Sequence, residues 1–267
     1  MPITYASNVT ALRLTTRLNQ TEDRLGSVYE RLSSGTRINK ASDDPAGLAL
    51  AERLNNESRL MTVALRNSND ALAMVNLTDA ALGEISNILS RMSELAVQGS
   101  SSSYSTSARS AMQSEFVALG SEVDRISSVV TFNSIQLLSN SSAQIAQVGT
   151  GSDSFSRIEI PSALATLAFL GLGSGARLTY SLTGTTTNFG VTASRAAFTA
   201  IQSAMDDIIE QRGLVGATTS RLASAINFLT VARENTLAAE ANIRDTDVAA
   251  DATELVRLQV LQQTQTS

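Results

Sequence analysis

From Asp44 to Gly99 a seven-residue repeat runs through Leu54, Met61, Ser68, Val75, Leu82, Leu89 and Ala96, and no proline follows Pro45 in that stretch. A repeat of this kind specifies an amphipathic helix with one narrow apolar seam. At 1.5 Å per residue the run spans roughly 80 Å, longer than an ordinary globular helix, and implies a rod. Its start is marked by Ser42-Asp43-Asp44-Pro45. Asp44 is placed to accept backbone N–H bonds as the N-cap, and Pro45 fits the first turn, where no donor is needed.

The same periodicity recurs on both sides. Ala11, Leu18, Leu25 and Leu32 occupy one position of a preceding heptad, and Leu14, Thr21 and Val28 the other; Gly35 is a fitting stop. After the serine-rich turn from Gly99 to Ser105, Met112, Leu119 and Ile126 alternate with Phe116, Val123 and Val130, so the chain folds back as a second helix. From Thr131 to Ser194, about 64 residues, charged side chains are few and Ser, Thr and Gly are many. Short strands are expected near Gln144–Val148, Ser156–Ile160 and Leu178–Leu182. Helix returns from about Ala193 to Gln263, interrupted near Gly213 and Gly216, with Leu222, Leu229, Thr236 and Ile243 at heptad spacing. Met61, Met74, Met92 and Met112 lie among seam positions and fill gaps there.

A single-seam helix is marginal in water without a partner. The two ends therefore pack on each other and on neighbouring molecules. The expected fold is mainly α: a long antiparallel helical rod of coiled-coil type with a small β region and paired N- and C-terminal helices.

Composition removes several function classes. With no His and no Cys, imidazole and thiol catalysis and the usual zinc, haem and iron–sulfur sites are excluded, as are disulfides. Aromatic residues are only 4% against 43% hydrophobic, so burial rests on Ala, Leu, Ile and Val, which suits packed helices better than a compact enzyme core. A net charge of -5 argues against a nucleic-acid partner. The longest apolar stretch, Ala163 to Gly173, is about half of the roughly 20 residues that a membrane span needs. Met1 to Thr10 lacks the basic start and apolar run of a cleaved signal, and the six basic residues of Arg13–Lys40 come with three acids and a regular seam, unlike a transit peptide.

No reacting group stands out. Asp245, Asp247 and Asp251 are spaced like part of a calcium loop, but Ala249 and Ala250 stand where a ligand and a glycine are required. They read as a solvated helix face. Gly171-Leu-Gly173-Ser-Gly175 lacks the strand–turn–helix setting of a dinucleotide loop and reads as a flexible loop. Asp206 and Asp207 are neighbours on a helix and point about 100° apart. No catalytic, metal or cofactor site is expected.

The segment Arg31-Leu-Ser-Ser-Gly-Thr-Arg-Ile-Asn-Lys-Ala-Ser-Asp-Asp-Pro-Ala-Gly-Leu-Ala-Leu50 closely resembles the signature of bacterial flagellins. Leu89–Gln98 with its Glu-Leu-Ala-Val-Gln ending, Thr131-Phe132-Asn133 before Leu137-Leu138, and Ala143–Gly149 resemble the family as well. So do Leu214–Ala217, Arg221-Leu222, Arg233-Glu-Asn235 and Asn242–Ala249, so the resemblance covers nearly the whole chain. It implies an exported structural subunit, secreted without a cleaved signal, that polymerises into the extracellular flagellar filament and is no enzyme. It also implies an inner-tube part at 1–41 and 242–267 and a helical rod at 42–241 with a β-rich insert at about 131–194. The inner-tube seam would be Ala11, Leu14, Leu18, Leu25, Val28 and Leu32 against Val248, Leu255 and Leu258. With so short a middle, the chain resembles a minimal form without large outer domains. Family members continue past the segment matching Val260–Gln263, which implies a further stretch of inner-tube helix.

The partners so implied are other copies of the chain, an export chaperone that grips the C-terminal helix, the filament cap and the hook–filament junction proteins, with no nucleic acid and no membrane. Leu-x-Arg-x-x-Glu-Leu-Ala-Val-Gln also resembles the stretch by which flagellins are recognised by Toll-like receptor 5. The matching positions are Arg91, Leu95 and Gln98, with Glu115 on the returning helix; 91, 95 and 98 share one helix face. Alternative readings are a hook–filament junction protein, a relative with similar ends, and a coiled-coil adaptor, which leaves Arg31–Leu50 unexplained. A carbohydrate-binding protein has little support, because Trp is absent and Tyr scarce.

Overall fold

The structure is a computed structural model and describes residues 9–174, 177–184 and 187–266. Five helices dominate: α1 (Val9–Ser34), α2 (Pro45–Gly99), α3 (Thr106–Val129), α4 (Thr187–Arg244) and α5 (Val248–Thr266). Between α3 and α4 lie β1 (Thr131–Phe132), β2 (Ile135–Gln136), β3 (Gln144–Gln147), β4 (Arg157–Ile160), β5 (Gly173–Ser174) and β6 (Arg177–Leu178), paired antiparallel as three two-stranded ribbons. The chain divides into two compact units, one of Met1–Thr62 with Val231–Ser267 and one of Val63–Thr230.

Helix boundaries follow local chemistry. The Asp44 carboxylate accepts the Gly47 N–H at 2.9 Å, so α2 starts at its capped proline. Gly35, with φ +72°, ends α1 and returns its N–H to the Arg31 carbonyl at 2.8 Å. Ser105 caps α3 by accepting from the Ala108 N–H, and Asp247 caps α5 by accepting from the Ala249 and Ala250 N–H groups.

In the second unit α2 meets α3 and α4, both antiparallel to it. Arg91 of α2 reaches Glu115 of α3, while Asp79 of α2 pairs with Arg212 of α4. The core is the α2 seam, with Val75, Leu82, Leu89 and Ala96 fully buried against Phe116, Val123, Ile201 and Ile208. The strand segment closes the core with Leu138, Leu167, Leu172 and Leu182. Met61, Met74 and Met92 are buried and Met112 is half-buried, as gap-filling residues should be. The largest of the fully buried side chains is Arg109 on α3. Its Nε donates to the Gly99 carbonyl at 3.0 Å and its Nη2 to the Ser101 carbonyl at 2.6 Å, so a guanidinium caps the C-terminus of α2 from within.

Three expectations need correction. The C-terminal helix is not interrupted at Gly213 and Gly216; α4 runs through both, because buried Ile208, Val215, Thr218 and Leu222 hold the helix on either side against a cost of about 1 kcal/mol per glycine. It breaks instead at Asp245–Asp247. The third strand is Arg177–Leu178 rather than Leu178–Leu182. An additional hairpin, β1–β2, turns through Asn133 (φ 48°) and Ser134 (φ 66°), the two left-handed residues of a tight twisted turn. Of the Gly171–Gly175 loop, Gly173 and Ser174 are strand, and Gly175 lies outside the described residues.

Candidate functional site

In the first unit α1 and α5 pack as a pair. Val28 and Thr21 of α1 and Leu258 of α5 are buried in it; Leu18, Leu25, Leu32 and Leu255 are half-buried; Ala11, Leu14 and Val248 are exposed. Polar links fix the register: the Thr21 hydroxyl donates to Gln265 at 3.1 Å, the Gln259 amide to the Tyr29 hydroxyl at 2.9 Å, and Arg31 faces Asp251 at 3.6 Å. The pair buries little of its own apolar surface. Leu12 on α1 is 69% exposed and Val256 on α5 58%, with Val9 and Val260 exposed beside them. Two helices with so few buried contacts are marginal alone.

A clasp joins the two corners of this unit. Thr36 and Asp245 form an isolated antiparallel bridge. The Arg37 N–H donates to the Arg244 carbonyl at 2.6 Å, the Thr246 N–H to the Gly35 carbonyl at 3.1 Å, and Arg37 Nη2 to the Ile243 carbonyl at 2.8 Å. Ile38 is buried beneath them. Asp245 and Asp247 are exposed, and two of the three acids also serve this corner: Asp247 caps α5, and Asp251 accepts from the Thr246 hydroxyl while facing Arg31. The Asp43 carboxyl is held below its ordinary range because the Lys40 and Asn39 backbone N–H groups donate to it.

On the second unit Arg91, Gln98 and Glu115 are surface residues. Arg91 Nε donates to Glu115 at 2.9 Å and its Nη1 to Glu94 at 2.8 Å, and these two carboxylates raise the guanidinium above its ordinary range. Gln98 donates to the Tyr104 hydroxyl at 3.0 Å. Leu95 does not share their surface: it is 2% exposed. Packed between α3 and α4, α2 buries a stripe wider than a two-position seam, and Ala81, Ile88 and Leu95 form its third row.

Among the described residues no three His, Cys, Asp or Glu side chains are grouped to hold a metal ion. Nor is any described helix long and apolar enough to cross a membrane. The sequence reading missed the clasp, the internal cap by Arg109 and the extra Glu94 contact of Arg91; only the last carried a signal, its three-residue spacing.

Residues 6–143 match the bacterial flagellin N-terminal helical region and residues 198–267 the bacterial flagellin C-terminal helical region. A flagellin of Halalkalibacterium halodurans is 35% identical over 88% of this chain and 82% of its own. A flagellin of Listeria innocua is 31% identical over 98% and 92%, and the flagellar filament 30.7 kDa core protein of Treponema maltophilum 31% over 96% and 91%. Among solved structures, a Bacillus cereus flagellin aligns at TM-score 0.50 and 24% identity over 61% of this chain and 88% of its own. A putative flagellar hook-associated protein of Vibrio parahaemolyticus aligns at 0.63 and 14% over 76% and 100%; both likenesses concern the fold.

Proposed function

Because the chain belongs to the bacterial flagellin family, and is thus a structural subunit that self-assembles into the extracellular flagellar filament, we propose how its parts divide that work. The α1–α5 pair, within 1–41 and 242–267, is the inner-tube element, and 42–241 is the surrounding helical part with its β-rich insert. One observation carries this reading: the pair leaves Leu12, Leu14, Val256 and Val260 outside its own interface, apolar surface that neighbouring copies bury on assembly. Ordering is thereby coupled to polymerisation. A contact repeated with a rotation that does not close gives a helix.

The same marginal pairing suits export as an unfolded chain without a cleaved signal, with a chaperone on α5, and delivery to the junction proteins and cap. Seeded polymerisation followed by electron microscopy tests the assembly reading. Leu14→Asp and Val256→Asp are expected to abolish filament growth while leaving the thermal transition of the Val63–Thr230 unit in place. Growth at the parent rate in both variants would remove the inner-tube assignment.

Recognition by Toll-like receptor 5 is a second reading, favoured by the exposed Arg91–Glu115 pair. In it Arg91, Gln98 and Glu115 are the contacts, and Leu95 acts from beneath by holding α2 in place. Reporter-cell signalling is expected to fall with Arg91→Ala and Gln98→Ala; unchanged signalling from both would dismiss this surface.

A further inference from the structure

Lys40 is the only lysine among the 20 basic residues of the chain; the other 19 are arginines. The ion pairs follow that composition. Arg31–Asp251, Arg91–Glu115, Arg125–Glu122, Arg212–Asp79, Arg244–Glu52 and Arg257–Glu254 all use a guanidinium, and among the described residues Lys40–Glu30, at 2.6 Å, is the one pair that uses an amine. A guanidinium keeps its charge past pH 12, whereas an ammonium loses it near 10.5.

The Lys40 pair sits where a charge change has leverage. It ties the last turn of α1 to the connection leading into α2, on a cleft of about 310 Å³ lined by Glu30, Arg31, Arg37, Lys40, Asp43 and Asp44. The other charged groups there make hydrogen bonds or ion pairs of their own, and Asp43 adds a weaker pull on the Lys40 amine. Arg31 faces Asp251 of α5, Arg37 donates to the Ile243 carbonyl of α4, Asp43 accepts from the Asn39 and Lys40 N–H groups, and Asp44 caps α2. Glu30 would thus lose its close cation when the amine deprotonates.

We propose that Glu30–Lys40 is an alkaline-sensitive catch on the α1–α2 corner, in a chain whose other ion pairs are built to keep their charge across the alkaline range. The direction is consistent: Glu30 raises the Lys40 amine above its ordinary 10.5, so the pair stabilises the fold fully below that pH and its contribution is lost as pH rises through the raised value. A competing account is that arginine was selected only for its two-pronged fit to carboxylates, as in Arg125–Glu122 and Arg257–Glu254.

Thermal unfolding of the full chain, followed by far-UV circular dichroism between pH 8 and 11.5, separates these. The parent is expected to lose about 2 °C of midpoint above pH 10, a shift readable for a chain of this size. Lys40→Arg should lack that step, Lys40→Met should start lower at pH 8 and stay flat, and Arg212→Lys should add a second alkaline step. All four proteins carry the same tyrosines, so a step common to all four is not the catch. If Lys40→Arg falls in step with the parent, or Lys40→Met matches the parent at pH 8, the catch does not exist. An Arg212→Lys profile that drops at pH 8 with no alkaline step would favour the fit-only account.

Discussion

Replacing Arg109 by Met keeps the aliphatic stem of a fully buried side chain and removes its guanidinium. Two charge-assisted hydrogen bonds are lost, at 3.0 Å to Gly99 and 2.6 Å to Ser101, each worth roughly 1.5–3 kcal/mol. Those carbonyls close α2, so the helix dipole adds about 0.3–1 kcal/mol to the loss. Against it stands the relief of burying a cation whose Nη1 has no protein partner among the described residues, a penalty of roughly 1–3 kcal/mol. The net expectation is a loss of about 2–4 kcal/mol. Urea unfolding read by circular dichroism should show it as a midpoint lowered by roughly 1–2 M at unchanged slope, since slopes are about 1–3 kcal/mol/M. Arg109→Lys, with a single point charge, should recover only part. A loss under ~0.5 kcal/mol for Arg109→Met would refute the claim that this residue caps α2.

Leu89→Ala, at the centre of the α2 seam, should cost about 2–5 kcal/mol in the same assay, whereas Val97→Ala on the exposed face should cost little. Ser134→Gly should raise stability by up to ~1 kcal/mol, because Ser134 sits at φ 66° and glycine adopts that conformation without steric strain; a loss of stability would contradict the hairpin geometry. Asp43, held low by two backbone N–H groups, and Glu254, held low by Arg257, stabilise the first unit above their ordinary values of 3.8 and 4.5, and that contribution disappears as pH falls through their lowered values. An acid titration of helicity should therefore break below pH ~4, and Asp43→Asn should flatten part of the step.

The long helices were legible because a seven-residue repeat is a local pattern, and Val75, Leu82 and Leu89 are buried where it puts them. Asp44-Pro45 and Gly35 were legible for the same reason, since their chemistry acts within one turn. What failed depended on distant residues. Gly213 and Gly216 look like breaks until Val215 and Thr218 are seen anchored, and Leu95 looks like a surface residue until α3 and α4 flank α2 on both sides. The β1–β2 turn uses Asn-Ser in place of the more recognisable Asn-Gly. For the receptor-like surface, the resemblance named Arg91, Gln98 and Glu115 as positions, but neither the Arg91–Glu115 ion pair nor the engagement of Gln98 by Tyr104.

The corner clasp also bears on when this chain can fold. Arg37 finds its carbonyl 206 positions later, and Thr21 meets a partner 244 positions later. Contacts of such sequence separation close late and slowly. Because synthesis runs from the N-terminus, α1 exists without its partner until Val248–Thr266 has been made, so the α1–α5 pairing takes no part in the early folding of the segments between them.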